Sequence, residues 1–187
     1  MMSKNSKSRQ LFLLEVLVDK VKIKSWSPVS ELGALSTLSI KVKFLGFPHI
    51  SIDQDAEGQN EPENLVRGKS CLLPMKPEEL LINMQKAPLV VSVSEKNEHS
   101  SSLLAHTYVK FNKGMVSMVR SVTEGRDDDY MCLPISQSLR DSFPLLDKKN
   151  SKVGEITLFI RLSYFGHSVV TQFKLVGEEK SVLFKKS

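Results

Sequence analysis

The stretch that decides the fold is Gly154-Glu-Ile-Thr-Leu-Phe-Ile-Arg-Leu-Ser163. Every second residue in it is aliphatic, namely Ile156, Leu158, Ile160 and Leu162. A period of two is typical of a β-strand that lays one face on a hydrophobic core. Phe159 is the one apolar residue on the opposite, polar face. A strand this regular must bury its aliphatic side, so we expect the rest of the chain to supply a facing sheet.

Other segments repeat this alternation in shorter form. Strands are predicted at residues 11–24, 38–44, 49–52, 68–73, 89–94, 103–111, 130–135 and 169–176. The first of them shifts its phase at Asp19-Lys20, which predicts a β-bulge. In the sixth, His106 and Tyr108 fall on one side, and His106 is interpreted as a half-buried structural histidine.

The segments between the strands contain one clear helix. It is predicted at residues 77–86, because Pro77 suits a first helical turn and Leu80, Leu81 and Met84 form an apolar stripe. Residues 115–119 fit either a short strand or one helical turn, and residues 136–146 are expected to be irregular.

Strands dominate this pattern, and no alternation of strand and helix is present. We therefore predict an all-β fold, an antiparallel β-sandwich of about eight strands with one short helix. The expected organisation is a disordered basic leader at 1–10, one sandwich domain at 11–176 and a basic tail at 177–187.

Composition narrows the possible partners and the compartment. The 187 residues carry a formal net charge of +5, which favours acidic partners. No apolar run is long enough for a transmembrane helix. Cys71 and Cys132 are the two cysteines, and so few thiols favour a reducing compartment such as the cytoplasm.

No set of residues predicts catalysis or a cofactor. The histidines have no metal-like spacing to each other or to the cysteines, and Gly166-His-Ser168 lacks the second glycine of a nucleophile elbow. The three carboxylates of Asp127-Asp-Asp129 cannot all reach one calcium ion from an extended chain, so they indicate a solvated loop. We predict a protein that is not an enzyme and binds no metal.

Lysines on two predicted strands are the candidate binding residues. Lys20, Lys22 and Lys24 line one face of the first strand, and Lys41 and Lys43 line one face of the second. Consecutive strands are neighbours about two-thirds of the time. If these two strands pair, their outer faces join into one basic patch for an acidic partner. The alternative is that the lysines only keep the outer face soluble and an edge from aggregating.

Five segments carry a resemblance to a known family. They are Leu11-Phe-Leu-Leu-Glu-Val-Leu-Val-Asp19, Phe44-Leu-Gly-Phe-Pro48, Arg67-Gly-Lys-Ser-Cys-Leu72, Ala87-Pro-Leu89 and Val153-Gly-Glu-Ile-Thr-Leu-Phe-Ile-Arg-Leu-Ser163. In this order the chain resembles the N-terminal domain of the microtubule-associated protein ten family. The layout is also similar to divergent C2 domains, which implies a C2-like sandwich. The loop at residues 94–99 lacks the aspartate pair of calcium-binding C2 domains, so no calcium site is expected.

The resemblance implies a non-enzymatic interaction module in the cytoplasm, on the cytoskeleton. Its expected place is the microtubules of the spindle, centrosome or midbody in cell division. The partner would be microtubules or another acidic protein surface. The alternatives are acidic phospholipids bound without calcium, or a centrosomal or ciliary scaffold domain. Nucleic acid ranks last, because the chain has no basic recognition helix and no aromatic residues among the lysines.

Overall fold

The computed structural model describes residues 9–24, 37–53, 67–96, 100–124, 135–166, 170–174 and 181–185. The strands are β1 (Gln10–Ile23), β2 (Thr37–Lys43), β3 (Ile50–Asp53), β4 (Arg67–Met75), β5 (Leu89–Lys96), β6 (Ser101–Val109), β7 (Ile135–Leu146), β8 (Lys152–Gly166), β9 (Val170–Lys174) and β10 (Ser181–Lys185). The helices are α1 (Pro77–Lys86), between β4 and β5, and α2 (Lys113–Thr123), between β6 and β7.

Eight strands form one antiparallel sheet in the order β3-β2-β5-β6-β7-β8-β1-β4. β6 and β7 share a single residue pair, His106 with Leu146, so the sheet divides there into two halves of four strands. The inward residues of both halves belong to one hydrophobic core. The predicted antiparallel sandwich is therefore confirmed. The predicted pairing of β1 with β2 is wrong, because β1 lies between β8 and β4 while β2 lies between β3 and β5.

β8 lies at the centre of its half, as its alternation predicts. Its four alternating aliphatic side chains are at most 1% exposed. β1 runs antiparallel beside it and buries Phe12, Leu14, Val16 and Val18 on the same side. Complete burial of one such side chain contributes about 1.5–3 kcal/mol, so these two strands supply a large part of the core. The predicted bulge is confirmed, since the β1–β8 register shifts between Val18 and Lys20.

The helices confirm one prediction and settle an open one. α1 has the predicted bounds and buries Leu80 and Met84. The segment left between strand and helical turn is α2, a helix of 11 residues. The Oδ1 atom of Asn112 caps it by accepting a hydrogen bond from the Met115 N–H at 2.8 Å.

β7 corrects the prediction of an irregular segment at residues 136–146. It is a strand of 12 residues that pairs with β8 along its length. Its outer face is polar and exposed, and Leu145 is fully buried on its inner face. Pro144 has no N–H for a sheet hydrogen bond, but β7 has one edge that pairs with β6 only at Leu146, and an edge tolerates proline.

Three positions on that edge of β7 have a backbone group that is occupied or missing. The Ser138 carbonyl accepts a hydrogen bond from Asn112 Nδ2 at 2.8 Å. The Ser142 N–H donates to the Asp141 carboxylate at 2.8 Å. Residues two apart in a strand direct their backbone groups to the same side, so Pro144, which has no N–H, lies on this edge too.

The C-terminal part of the chain contains a hairpin. β9 falls within the last strand predicted, and it pairs antiparallel with β10. β10 lies within the segment expected to be a basic tail. Most of the strand predicted at residues 130–135, and Asp127-Asp-Asp129, lie outside the described residues.

Candidate functional site

The five candidate lysines occupy two separate surfaces. Lys20, Lys22 and Lys24 belong to β1 and the residue that follows it, in the half β7-β8-β1-β4. Lys41 and Lys43 belong to β2, in the half β3-β2-β5-β6. Four strand positions separate β1 from β2 in the sheet. The structure therefore does not bring the five together into the single patch that was expected.

One of the β1 lysines lies opposite a carboxylate, and a neighbouring arginine is paired with another. Lys20 is half-buried opposite Thr157, and Lys22 is exposed opposite Glu155. Towards the middle of β1, Arg161 binds Glu15 with two hydrogen bonds, Nε to Oε2 at 2.5 Å and Nη2 to Oε1 at 2.8 Å. This pairing raises the pKa of the Arg161 guanidinium.

A second ion pair lies on the same outer face and balances further charge there. Arg140 Nε lies 2.7 Å from Asp19 Oδ2. The two pairs together connect β1 with β8 and β7. Charges in the middle of this outer face are thus matched within the protein, and little positive potential remains there for a partner.

The β2 lysines differ because no acid faces them. Lys41 is half-buried between Ser51 of β3 and Ser92 of β5, and Lys43 is exposed beside Val90 of β5. Among the described residues, neither lysine has an ion-pair partner. These two ammonium groups are therefore available to an external anion.

β6 adds two rings to the same outer face. His106 lies opposite Ser92, and Tyr108 lies opposite Val90. Their ring centroids are 5.5 Å apart at an interplanar angle of 79°. Tyr108 is 56% exposed, which is high for a large aromatic side chain on a strand. Strands are about 4.8 Å apart, so two strand spacings bring Lys41 within about 10 Å of His106.

We call this surface the β2 lysine face and define it by Lys41, Lys43, Ser92, His106 and Tyr108. It offers two cations, the hydroxyl groups of Ser92 and Tyr108, and the exposed Tyr108 ring, which can lie against a partner. Sequence reasoning found the lysines but assigned His106 a structural role and gave Tyr108 none. The alternation of β6 contained the signal, but the strand order that joins β6 to β2 through β5 was needed to use it.

An ion pair lies at one end of the half β3-β2-β5-β6. Lys96 Nζ lies 2.8 Å from Asp53 Oδ1. The hydrogen bond from Lys96 lowers the pKa of the Asp53 carboxyl. The Arg67 guanidinium also donates to the Asp53 backbone carbonyl at 3.0 Å. Lys96 is therefore matched within the protein and is not part of the face.

Within the part of the chain that the structure describes, no three His, Cys, Asp or Glu side chains lie together as a possible metal site. Burial raises the pKa of the half-buried Cys71 thiol, which keeps it protonated at neutral pH. Cys132, His99 and His167 lie outside the described residues.

A family model decides the assignment. The model for "Microtubule associated protein 10, N-terminal domain" matches residues 33–166, well over half of the chain. The chain belongs to this family. The resemblance seen in the sequence is thereby confirmed, and the family makes this a domain of a microtubule-associated protein.

Solved structures with a similar chain trace share little sequence with this family member. One is described as "CC2D1B coordinates ESRCT-III activity during the mitotic reformation of the nuclear envelope". It is 10% identical, with a TM-score of 0.45 over 86% of this chain and 57% of that one. The chain thus spans somewhat over half the length of that structure. Another is a C2 domain of plant extended synaptotagmin 1, which is 10% identical with a TM-score of 0.39 over 81% of this chain and 94% of that one.

Curated protein sequences give no match to the chain. Neither of the two helices in the described residues is long and apolar enough to cross a bilayer.

Proposed function

We propose that this domain is a non-enzymatic interaction module that docks a microtubule-associated protein on an acidic protein surface. The acidic surface of tubulin is the first candidate, at microtubules of the spindle, centrosome or midbody. Family membership supports the cytoskeletal assignment. The observation that carries the docking mechanism is the pair of unmatched lysines, Lys41 and Lys43, on one outer face.

The β2 lysine face suits a reversible contact. Exposed ion pairs contribute about 0.2–1 kcal/mol each, so two lysines give weak but real attraction. Charge complementarity at an exposed face mainly accelerates encounter and selects the partner. Tyr108 adds apolar contact area beside the cations, which favours a protein surface over a free ion. Lys20, Lys22 and Lys24 act in this proposal as a second, separate basic surface.

Co-sedimentation with microtubules at low and moderate salt tests the proposal. The informative variant is Lys41→Glu with Lys43→Glu. We expect about a fivefold to tenfold loss of affinity, because two attractions become repulsions. Affinity of the unchanged domain should also fall as salt rises, since exposed charges are screened over about 8–10 Å.

A matched control separates the effect of these two positions from the effect of a changed net charge. Lys76 and Lys113 are exposed and stand at the beginnings of α1 and α2. Glutamate is favourable at a helix N-terminus, so Lys76→Glu with Lys113→Glu should fold normally. Equal loss in this control would reject the β2 lysine face. Binding that does not depend on salt, or that survives Lys20, Lys22, Lys41 and Lys43 all changed to Glu, would reject docking through these four lysines.

Acidic phospholipids are the second candidate partner for the same face. The exposed Tyr108 ring beside two lysines favours it, as does Leu103 of the same strand, which is 42% exposed. Basic residues near an anionic membrane contribute about 1 kcal/mol each. Flotation with vesicles that contain or lack acidic lipid separates this candidate from the first. Binding to acidic vesicles without binding to microtubules would replace the proposed partner.

A further inference from the structure

Two of the β1 lysines, Lys22 and Lys24, lie at the end of the sheet that also carries the turn between β7 and β8. The Lys24 N–H donates to the Val153 carbonyl at 2.9 Å, which joins the end of β1 to the beginning of β8. Residues 147–151 connect β7 to β8 at this same end, because Leu146 pairs with Lys152. We call the surface the basic tip, and its members are Lys22, Lys24, Lys148, Lys149 and Lys152. All five side chains are exposed.

The turn that carries Lys148 and Lys149 is held by its own hydrogen bonds. Asp147 Oδ1 accepts from the Lys149 N–H at 2.8 Å and from the Ser151 N–H at 2.9 Å. The Asn150 N–H donates to the Asp147 carbonyl at 3.0 Å. Asn150 has φ 61°, a left-handed conformation that asparagine tolerates better than most residues. The backbone below the two lysines is therefore fixed before any partner arrives.

Positive charge is in excess at the tip. Among the described residues there, five ammonium groups meet two carboxylates, Asp147 and Glu155. The Asp147 carboxylate is occupied by backbone N–H groups of the turn. Lys152 Nζ lies 3.5 Å from Glu155 Oε2, and both side chains are at least half exposed, so this contact is weak. The middle of the same outer face is neutral, as described above, so the excess is confined to the tip.

The chemistry of the tip favours an acidic peptide over a membrane. Four large apolar side chains among the described residues are exposed, namely Leu72, Ile82, Leu103 and Tyr108. None of them lies on β1, β8 or the turn between β7 and β8, so the described residues of the tip offer no exposed large apolar group to insert into lipid. The five lysines that define the tip also supply neither the arginine fork nor the aromatic ring with which proteins read nucleic acids.

We infer that the basic tip binds an extended peptide segment rich in Asp and Glu on the partner protein. This inference rests on the proposed function and deepens it, because it gives the acidic partner a second point of contact. Because the turn is already fixed, the domain loses little conformational entropy when a peptide binds. The tip and the β2 lysine face lie on different layers, so one partner could engage either surface or both.

Fluorescence anisotropy with a labelled peptide of ten consecutive glutamates tests the inference, and ten glutamines are the neutral probe. We expect salt-sensitive binding of the acidic peptide and none of the neutral one. Lys148→Gln with Lys149→Gln removes two charges and keeps the backbone hydrogen bonds of the turn. Affinity for the acidic peptide should then fall about fivefold. The matched control, Lys76→Gln with Lys113→Gln, lies outside both basic surfaces and should stay within about twofold of the unchanged domain.

Three results would overturn the inference. The first is equal peptide affinity of the tip variant and the unchanged domain. The second is an equal loss in the matched control. The third is a tip variant that loses binding to vesicles of acidic phospholipid while it keeps the peptide, which would assign the tip to lipid.

Microtubule co-sedimentation of the tip variant, and of the Lys41→Glu with Lys43→Glu variant, separates this inference from the proposed function. Peptide binding that depends on Lys148 and Lys149, without any microtubule binding, would retain the tip and reject the proposed function. Microtubule binding that depends on Lys41 and Lys43, without peptide binding, would retain the function and reject the tip.

Discussion

Gly154 lies where the backbone of β1 leaves no room for a side chain on β8. A Cβ atom at this position would collide with the Lys22 carbonyl oxygen and lie 3.1 Å from Ile23 Cα. These are backbone atoms, so they cannot rotate away. Overpacking of this kind costs about 1–3 kcal/mol. A forced separation of the strands would also weaken the hydrogen bond from Lys24 to Val153, at about 1 kcal/mol.

We therefore expect Gly154→Ala to destabilise the domain by about 3 kcal/mol. For a chain of this size that lowers the melting temperature by about 6–12 °C, measured by calorimetry or circular dichroism. The matched control is Gly46→Ala, because Gly46 has no atom within 4 Å of the added Cβ. It should change stability by less than about 0.5 kcal/mol. Equal melting temperatures for the two variants would refute the close approach of β1 to β8.

Two further predictions concern single polar side chains. Asn112→Ala removes both the cap of α2 and the bond to Ser138, so it should cost about 2 kcal/mol in denaturant unfolding, whereas Asn112→Asp keeps the cap acceptor and should cost about half of that. A stable Asn112→Ala variant would show that α2 does not depend on this residue. Lys96 lowers the pKa of the Asp53 carboxyl, so the stabilisation is present above its usual value of 3.8 and is lost as the pH falls through the lowered pKa. The side chains of Lys96 and Asp53 are 35% and 45% exposed, so the stabilisation should stay below about 1 kcal/mol. The melting temperature of Asp53→Asn should therefore lie closer to that of the unchanged domain at pH 2.5 than at pH 6. An equal difference in melting temperature at the two pH values would refute the assignment.

Local patterns in the sequence were sufficient to predict most of the elements. The alternation in β8 predicts its buried face, and the phase shift in β1 predicts the bulge, because both depend only on neighbouring residues. α1 could be predicted for the same reason, since Pro77 and its apolar stripe lie within ten residues. The family was predicted from the five segments that resemble it.

β7 and α2 show where a local pattern is insufficient. β7 has a polar outer face and Pro144, so its composition resembles a loop until its edge position is known. α2 is short and has mixed periodicity over residues 115–119. Its identity depends on the Asn112 cap and on packing against α1, which are not evident from those five residues.

The candidate site could be predicted only in part, because strand order is a long-range property. Each lysine lies on the outward side that alternation predicts. Which lysines share a surface depends on β1 pairing with β8, more than 100 residues away in the sequence, and not with its neighbour along the chain. The companions of Lys22 and Lys24 are therefore found in the turn between β7 and β8, and those of Lys41 and Lys43 are found on β6.

The edge of β7, with its occupied carbonyl, internally bonded N–H and Pro144, has a consequence for crowding. At high concentration a folded domain meets many copies of itself. Open strand edges would then let neighbouring copies pair by backbone hydrogen bonds into one continuous sheet. On β7 the bound Ser138 carbonyl, the bound Ser142 N–H and Pro144 each interrupt such a ladder, which favours copies that stay separate folded units.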